Sequence, residues 1–432
     1  MRLKEIHLTN FRCFEQLDVQ LNDRLAVFLG VNGAGKTAIL DAICLYFIDF
    51  SNHLTSSQVY SQLAYDSLDD VKISTDEAKM FFLSTYLNLE NIDIDITINR
   101  NSTPTFRSAG SKDVVSLANL FEEKTKSVNN KDEFSVPVLI HFKSNKTQLE
   151  KVKTHSRSNF LQFTTYENSF FHSIDDFKDF TNWFREAEDR ENETIILMQD
   201  FNAKNPQLEV IRKTIPHFLE LLNNQSFSDL RIKRQTNNKF EFKANGTYSL
   251  IIKKDNQILE LNQLSDGERT LIMLVSDITR RLILANPSLE NPLEGEGIVL
   301  IDEIDLHLHP QWQRNILPAL LATFPECQFI VTTHSPLVIS NVVRESVFIL
   351  DNGKLVKNTP HTLGRDYASI LYNVFGVEER PAEYQKKLDA CFRLLENEQY
   401  PEAKIMLRKL SEELGEDDID ILRANVILDM EA

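Results

Sequence analysis

The octet Gly30-Val31-Asn32-Gly33-Ala34-Gly35-Lys36-Thr37 has the GxxxxGK[ST] spacing of a phosphate-binding loop. Glycines at these positions let backbone N–H groups turn inward around phosphate oxygens, and the helix that follows adds the positive end of its dipole. Asn32, Gly33, Ala34, Gly35, Lys36, Thr37 and Ala38 are therefore the candidate nucleotide contacts. Lys36 would reach the β- and γ-phosphates, and the Thr37 hydroxyl would coordinate Mg²⁺. Glycine is scarce, with 12 in 432 residues, yet three fall in this octet.

A second group comes far downstream. Ile298–Ile301 is an apolar run ending in Asp302 and Glu303. Alone it would read as a buried strand and a polar turn. Beside a phosphate loop, Asp302 can hold the Mg²⁺ water shell and Glu303 can polarise an attacking water. In Leu264-Ser265-Asp266-Gly267-Glu268-Arg269, Ser265 and Glu268 have capping-box spacing. A helix N-terminus carrying Ser265 and Gly267 is also an anion site. His334, in Thr332-Thr333-His334-Ser335, ends another apolar run and could bond a γ-phosphate. His307 and His309 form an HxH pair with no third ligand in view. Asp93 and Asp95 alternate with isoleucines and read as a solvated strand face rather than a metal pair.

The elements that must position these residues follow from hydrophobic period. Leu3–Leu8, Leu17–Leu21 and Leu25–Leu29 read as strands, with a helix from about Lys36. Residues 80–100 read as paired strands and 246–260 as further strands. Gln263–Ala285 reads as a long helix, and Gly297–Ile301 and Phe329–Thr333 as short buried strands. Asn352-Gly353 marks a closing hairpin between 347–350 and 354–356. Helices are expected at 175–188 and 207–222. Four segments result: 1–100, 101–245 (a mixed, largely helical insertion), 246–365, and 366–432, an acidic helical tail with a regular apolar face suited to partner docking or oligomerisation.

Lys plus Arg is 47 and Asp plus Glu is 64, a net charge of −17. That argues against a protein that coats nucleic acid with its whole surface. Two local basic groups remain: Lys143, Lys146, Lys151, Lys153 and Arg157, and Arg231, Lys233, Arg234, Lys239 and Lys243. The four cysteines are far apart, so neither a zinc ribbon nor a disulfide framework is indicated. No apolar run approaches the ~20 residues of a membrane span. The start lacks a signal-peptide core. A cytoplasmic protein is expected.

The four motifs, in this order, resemble the ATP-binding-cassette ATPases of the RecF/SMC/OLD branch. Asn10–Phe14 with the phosphate loop resembles that branch's opening, and LSDGER its signature. LIDEIDLHLHP and TTHSP resemble its Walker B, D-loop and switch-histidine segments. The resemblance implies an α/β fold: a split P-loop head with a mixed sheet and an antiparallel β subdomain, a helical insertion, and a small helical C-terminal segment. It implies ATP and Mg²⁺ as ligands and a head-to-tail dimer in which Ser265, Gly267 and Glu268 of one copy close over the other's nucleotide. Arg12 would lie near that nucleotide, and Asp305 would cross the dimer interface. A glutamine-loop residue is expected but is not assignable from sequence. The interval from Thr37 to Leu264 lacks the heptads of an SMC coil, and the tail is too short for a TOPRIM nuclease domain.

The compact insertion, with VPVLIHF near 136 and DDFKDFTNWFREAED near 175, and the tail segments LYNVFGVEER and EAKIMLRKLSEELGEDDIDILRAN resemble the PtuA family, ATPases of Septu and retron antiphage systems. This implies an ATP-gated regulatory subunit working with a separate HNH nuclease of the PtuB type, and in retrons with a reverse transcriptase and RNA–DNA. The alternatives are a RecF-like DNA-repair clamp and a stand-alone ATPase.

Overall fold

The computed structural model describes residues 1–55, 77–86, 90–99, 105–107, 134–143, 161–166, 169, 172–173, 178–222, 227–234, 248–357, 359–377 and 380–431. Lys146, Lys151, Lys153, Arg157, Lys239 and Lys243 lie outside these, as do the side chains of Asp93 and Asp95.

From the N-terminus, β1 (Arg2–Phe11), β2 (Phe14–Gln20), β3 (Leu25–Gly30) and α1 (Lys36–Thr55) precede β4 (Glu77–Tyr86), β5 (Glu90–Asn99) and β6 (Thr105–Arg107). Next come β7 (Val138–Lys143), β8 (His172–Ser173), α2 (Lys178–Met198) and α3 (Pro206–Leu221). They lead to β9 (Phe227–Arg234), β10 (Tyr248–Lys254), β11 (Gln257–Glu260) and α4 (Asp266–Ala285). The unit closes with β12 (Gly297–Ile301), α5 (Pro310–Thr323), β13 (Cys327–Thr333), α6 (Pro336–Ile339), β14 (Val347–Asp351) and β15 (Lys354–Leu355).

The seven-stranded sheet runs β15-β14-β3-β13-β12-β7-β8. All its pairs are parallel except the terminal hairpin. Every residue of β3, β12 and β13 is buried. Their unbroken apolar runs suit a parallel sheet covered on both faces, which is why period-two alternation is missing there. α1 packs across β3, β7 and β13, and α4 packs on β7 and α3. A five-stranded antiparallel sheet, β2-β1-β4-β5-β6, and a three-stranded one, β11-β10-β9, complete the mixed α/β architecture.

Two elements differ from the sequence reading. β7 falls in the segment read as insertion, yet it pairs in parallel with β12 and belongs to the central sheet. Its run Val138-Leu139-Ile140-His141-Phe142 is short, and short apolar runs carry no period that distinguishes strand from helix. The helix expected at 175–188 spans Lys178–Met198, continuing through a polar stretch into Ile195, Ile196, Leu197 and Met198 with no Gly or Pro to stop it.

The chain divides into two compact units, Met1–Arg365 and Asp366–Ala432. The second holds α7 (Tyr367–Phe375), α8 (Ala382–Glu396), α9 (Tyr400–Leu414) and α10 (Ile419–Glu431). Leu388, Cys391, Leu395, Ala403, Leu407, Leu410, Ile421 and Ala424 form its core. Arg380 grips Asp418 through both guanidinium ends, at 2.8 and 3.0 Å.

Candidate functional site

The C-terminal ends of four parallel strands converge in the first unit, where ligands of open α/β sheets bind. β3 ends in Gly30, β12 runs into Asp302, β13 ends in Thr333, and β7 ends in Lys143. The loop between β3 and α1 is tight. Gly35 has φ +103°, and a Cβ there would sit 2.4 Å from the Phe14 ring and 2.6 Å from Cys13 Sγ. Only glycine meets both demands. Buried Lys36 curls along its own loop, donating to the carbonyls of Gly30 at 3.0 Å and Val31 at 3.2 Å. Burial pushes its ammonium pKa down, while Asp302, Glu303 and Asp305 oppose that shift. Asn32, Gly33 and Ala34 form the turn between them, and Ala38 lies on the first turn of α1, nearly buried.

Beneath the loop the sequence-predicted residues meet across strands. Thr37 Oγ1 donates to both oxygens of Asp302, at 3.2 and 3.1 Å. Thr332 Oγ1 donates to Asp302 Oδ1 at 2.6 Å and accepts the Glu303 N–H at 2.8 Å. Glu303 is thereby fixed at φ +51°, a left-handed conformation that costs a non-glycine residue about 1–3 kcal/mol. Such strain persists where surrounding bonds over-determine it, and here the Thr332 hydroxyl supplies one.

Asp305 does not stand apart: its Oδ1 accepts the Thr333 hydroxyl and, at 3.3 Å, the His334 N–H. Gln313 of α5 donates to the carbonyls of Asp305 and Leu308 and accepts from Ser335 Oγ at 2.7 Å. His334 is half-buried. Burial and the Lys36 charge hold its pKa below the usual imidazole range, against Asp305, Glu303 and Asp302. It is neutral at pH 7, with one ring N–H to donate. Of the HxH pair, His309 caps α5, its Nδ1 accepting from the Gln311 N–H at 3.3 Å.

The signature segment opens α4 as its spacing predicts. The Glu268 N–H reaches Ser265 Oγ at 3.4 Å, and Glu268 Oε2 accepts the Ser265 N–H at 3.1 Å and its hydroxyl at 2.8 Å. Lys254 of β10 completes the cluster at 2.8 Å from Glu268 Oε1. Burial raises the Glu268 pKa, but Lys254 and Ser265 outweigh it and leave the carboxyl below its ordinary range. Gly267 packs so closely that a Cβ would lie 2.6 Å from the His307 carbonyl oxygen.

Arg12 occupies the two-residue turn between β1 and β2, and its Nη1 donates to Asp41 of α1 at 2.7 Å. Lys143 Nζ lies 2.9 Å from the other oxygen of the same carboxylate. Burial raises the Asp41 pKa, but Lys143 and Arg12 more than offset it. The second basic group differs. Arg231 pairs with Asp229, Lys233 with Glu260, and Arg234 with Asp189 and Glu188. Sequence reasoning did not single out Asp41 or Lys254, named Thr332 only as part of the His334 motif, and read Lys143 only as a member of a basic group. Asp41 had a signal, because it follows Thr37 by four residues and shares its helix face.

Residues 25–340 match the family described as AAA domain, putative AbiEii toxin, Type IV TA system. The chain is 30% identical to the Retron Ec83 probable ATPase of Escherichia coli, over 97% of this chain and 85% of that one. It is 31% identical to the Retron Vc95 probable ATPase of Vibrio cholerae serotype O1 biovar El Tor, over 92% and 83% of the two chains. It is 24% identical to the Septu protein PtuA of Bacillus thuringiensis, over 90% and 89%. With near-complete coverage of these relatives, the chain belongs to this AAA-domain family and to the family of the retron ATPases: it is an ABC-type ATPase related to PtuA.

Proposed function

We propose that the chain hydrolyses ATP at the phosphate loop and uses the nucleotide to regulate an antiphage defence complex containing a separate HNH nuclease of the PtuB type. The observation that carries the catalytic part is the linked set Thr37, Asp302, Thr332 and Glu303, which brings two hydroxyls and two acidic residues from three elements to the mouth of the loop. Hard oxygen donors of this kind fit Mg²⁺, so Thr37 and Asp302 would hold the ion, directly or through water. When bound it neutralises charge on the β- and γ-phosphates.

Backbone N–H groups of residues 32–38 cradle the phosphates, and Lys36 exchanges its loop carbonyls for phosphate oxygens. Glu303 orients the attacking water and takes its proton as the water oxygen bonds to the γ-phosphorus and the bond to the ADP oxygen breaks. Neutral His334 donates to a γ-phosphate oxygen. Two copies close head-to-tail, so that Ser265 and Gly267 of one face the γ-phosphate of the other, with Glu268 holding the Ser265 hydroxyl in place.

The nuclease partner, and a reverse transcriptase with RNA–DNA if the system is a retron, rest on the kinship with retron and Septu proteins. The DNA-clamp alternative draws no support from Arg231, Lys233 and Arg234, each already paired with a carboxylate. The test is a pull-down of tagged Glu303→Gln protein from its own operon with ATP present, read by mass spectrometry. A stoichiometric HNH protein is expected. Recombination proteins or DNA alone would replace this reading with the clamp.

A further inference from the structure

Lys143 ends β7, the strand beside β12. The Asp302 N–H donates to the Phe142 carbonyl at 2.9 Å, so the Lys143 backbone adjoins the backbone of the residue assigned to the metal. Its side chain points to α1, where Asp41 follows Thr37 by one helical turn, about 6 Å along the axis. Its ammonium thus lies on the face of α1 that carries Thr37. A lysine has three donors and no acceptor, so it neither ligates a cation nor accepts from metal-bound water. Near a polyphosphate its one available partner type is a phosphate oxygen.

Asp41 also takes Arg12, at 2.7 Å. It therefore stays paired with a cation if Lys143 moves, and the exchange leaves no buried carboxylate alone. His141, two residues back on the same face of β7, is fully buried, and burial pushes it down to about 3. It is neutral and adds no competing charge.

We propose that Lys143 is a second phosphate-binding lysine, held in readiness by Asp41 and delivered to the nucleotide on binding, where it adds positive charge to that of Lys36 and Mg²⁺. This rests on the phosphate-loop reading above.

The experiment measures affinity for ATP and AMP, each with Mg²⁺ and with EDTA, in wild type, Lys143→Gln, Lys143→Arg and Lys36→Ala, alongside thermal unfolding of each protein. Lys143→Gln should lose about 10- to 100-fold in ATP affinity in EDTA, the size of one charge-assisted hydrogen bond, and clearly less with Mg²⁺ present. Its AMP affinity should be unchanged, and Lys143→Arg should restore most of the loss. In wild type, ATP but not AMP must raise Tm in EDTA. If that shift is absent, or Lys143→Gln weakens ATP equally with and without Mg²⁺, or weakens AMP as much, the proposal is overturned. If instead Lys36→Ala binds Mg-ATP as wild type does, the phosphate-loop reading itself has failed.

Discussion

The floor of the phosphate loop and the signature segment carry similar polar groups but are wired differently. At the floor every link crosses elements: Thr37 of α1 to Asp302 after β12, Asp302 to Thr332 of β13, and Thr332 back to Glu303. At the signature the links are nearly local. Ser265 and Glu268 cap each other within one turn, and Lys254 arrives from the preceding hairpin. The floor is therefore held by sheet register, so the loss of one hydroxyl is felt by residues far away in sequence. The signature is held by its own cap and should tolerate damage as a separate piece.

The largest expected effects break the floor outright. Lys36→Ala should abolish ATP binding, measured by calorimetry, because Lys36 is the buried ammonium already seated on the carbonyls of the loop. Glu303→Gln should bind ATP like wild type and hydrolyse it roughly 10²–10⁴ more slowly, the usual weight of a general base. Unchanged turnover would mean that the water is activated elsewhere. Thr332→Val tests the wiring itself, since the volume is kept and only the hydroxyl goes. It removes the bond to the Glu303 N–H and one of the bonds to Asp302 Oδ1, which keeps Thr37, so stability should fall by about 1–3 kcal/mol. Turnover should fall by roughly tenfold, since Glu303 loses a bond that holds its strained backbone. Ser265→Ala at the signature should leave ATP affinity of the single chain intact, and equal losses from the two changes would erase the contrast.

The same contrast governs what could be read beforehand. The capping box at Ser265 and Glu268 was legible because its partners are three residues apart, and the Asn352-Gly353 turn because its chemistry is local. The octet at Gly30–Thr37 and the pair Asp302-Glu303 were legible as types. Their junction through Thr332 was not, because it depends on β13 lying between β3 and β12. Likewise Lys143 sits at the end of a strand that the sequence hid inside an insertion. Its role as a neighbour of Asp302 exists only once β7 has paired with β12.

Acid should separate the two regions at a lower cost. His141 lies fully buried beside the floor with a pKa near 3, against about 6.5 in the unfolded chain. The unfolded chain binds the extra proton between these values, so stability falls as pH drops below about 6.5. At pH 5 the deficit is about 2 kcal/mol. The Glu268 carboxyl has the opposite sign. Its folded pKa lies below the ordinary value, so its contribution is present above about 4.5 and is lost only below that. Between pH 7 and pH 5 the floor should therefore weaken while the signature pair does not. His141→Leu should flatten the pH dependence of Tm over this range. A slope unchanged by that substitution would place the titrating group elsewhere.

The smallest effect should come from Lys254→Met. Glu268 is 5% exposed and keeps both Ser265 contacts when the ammonium is gone, so the cap should persist. Stability should drop by about 1 kcal/mol, the scale of a partly exposed pair. ATP affinity of the single chain should not change, because Lys254 belongs to the segment proposed to close over the partner's nucleotide rather than its own. What should change is turnover, by a few-fold, because an uncompensated carboxylate then faces an incoming γ-phosphate. Raising salt should recover part of that loss by screening the repulsion. Steady-state hydrolysis across protein concentration and salt reads both. If Lys254→Met weakened ATP binding at protein concentrations too low for association, the signature would serve its own loop, and the division into two regions with separate duties would be wrong.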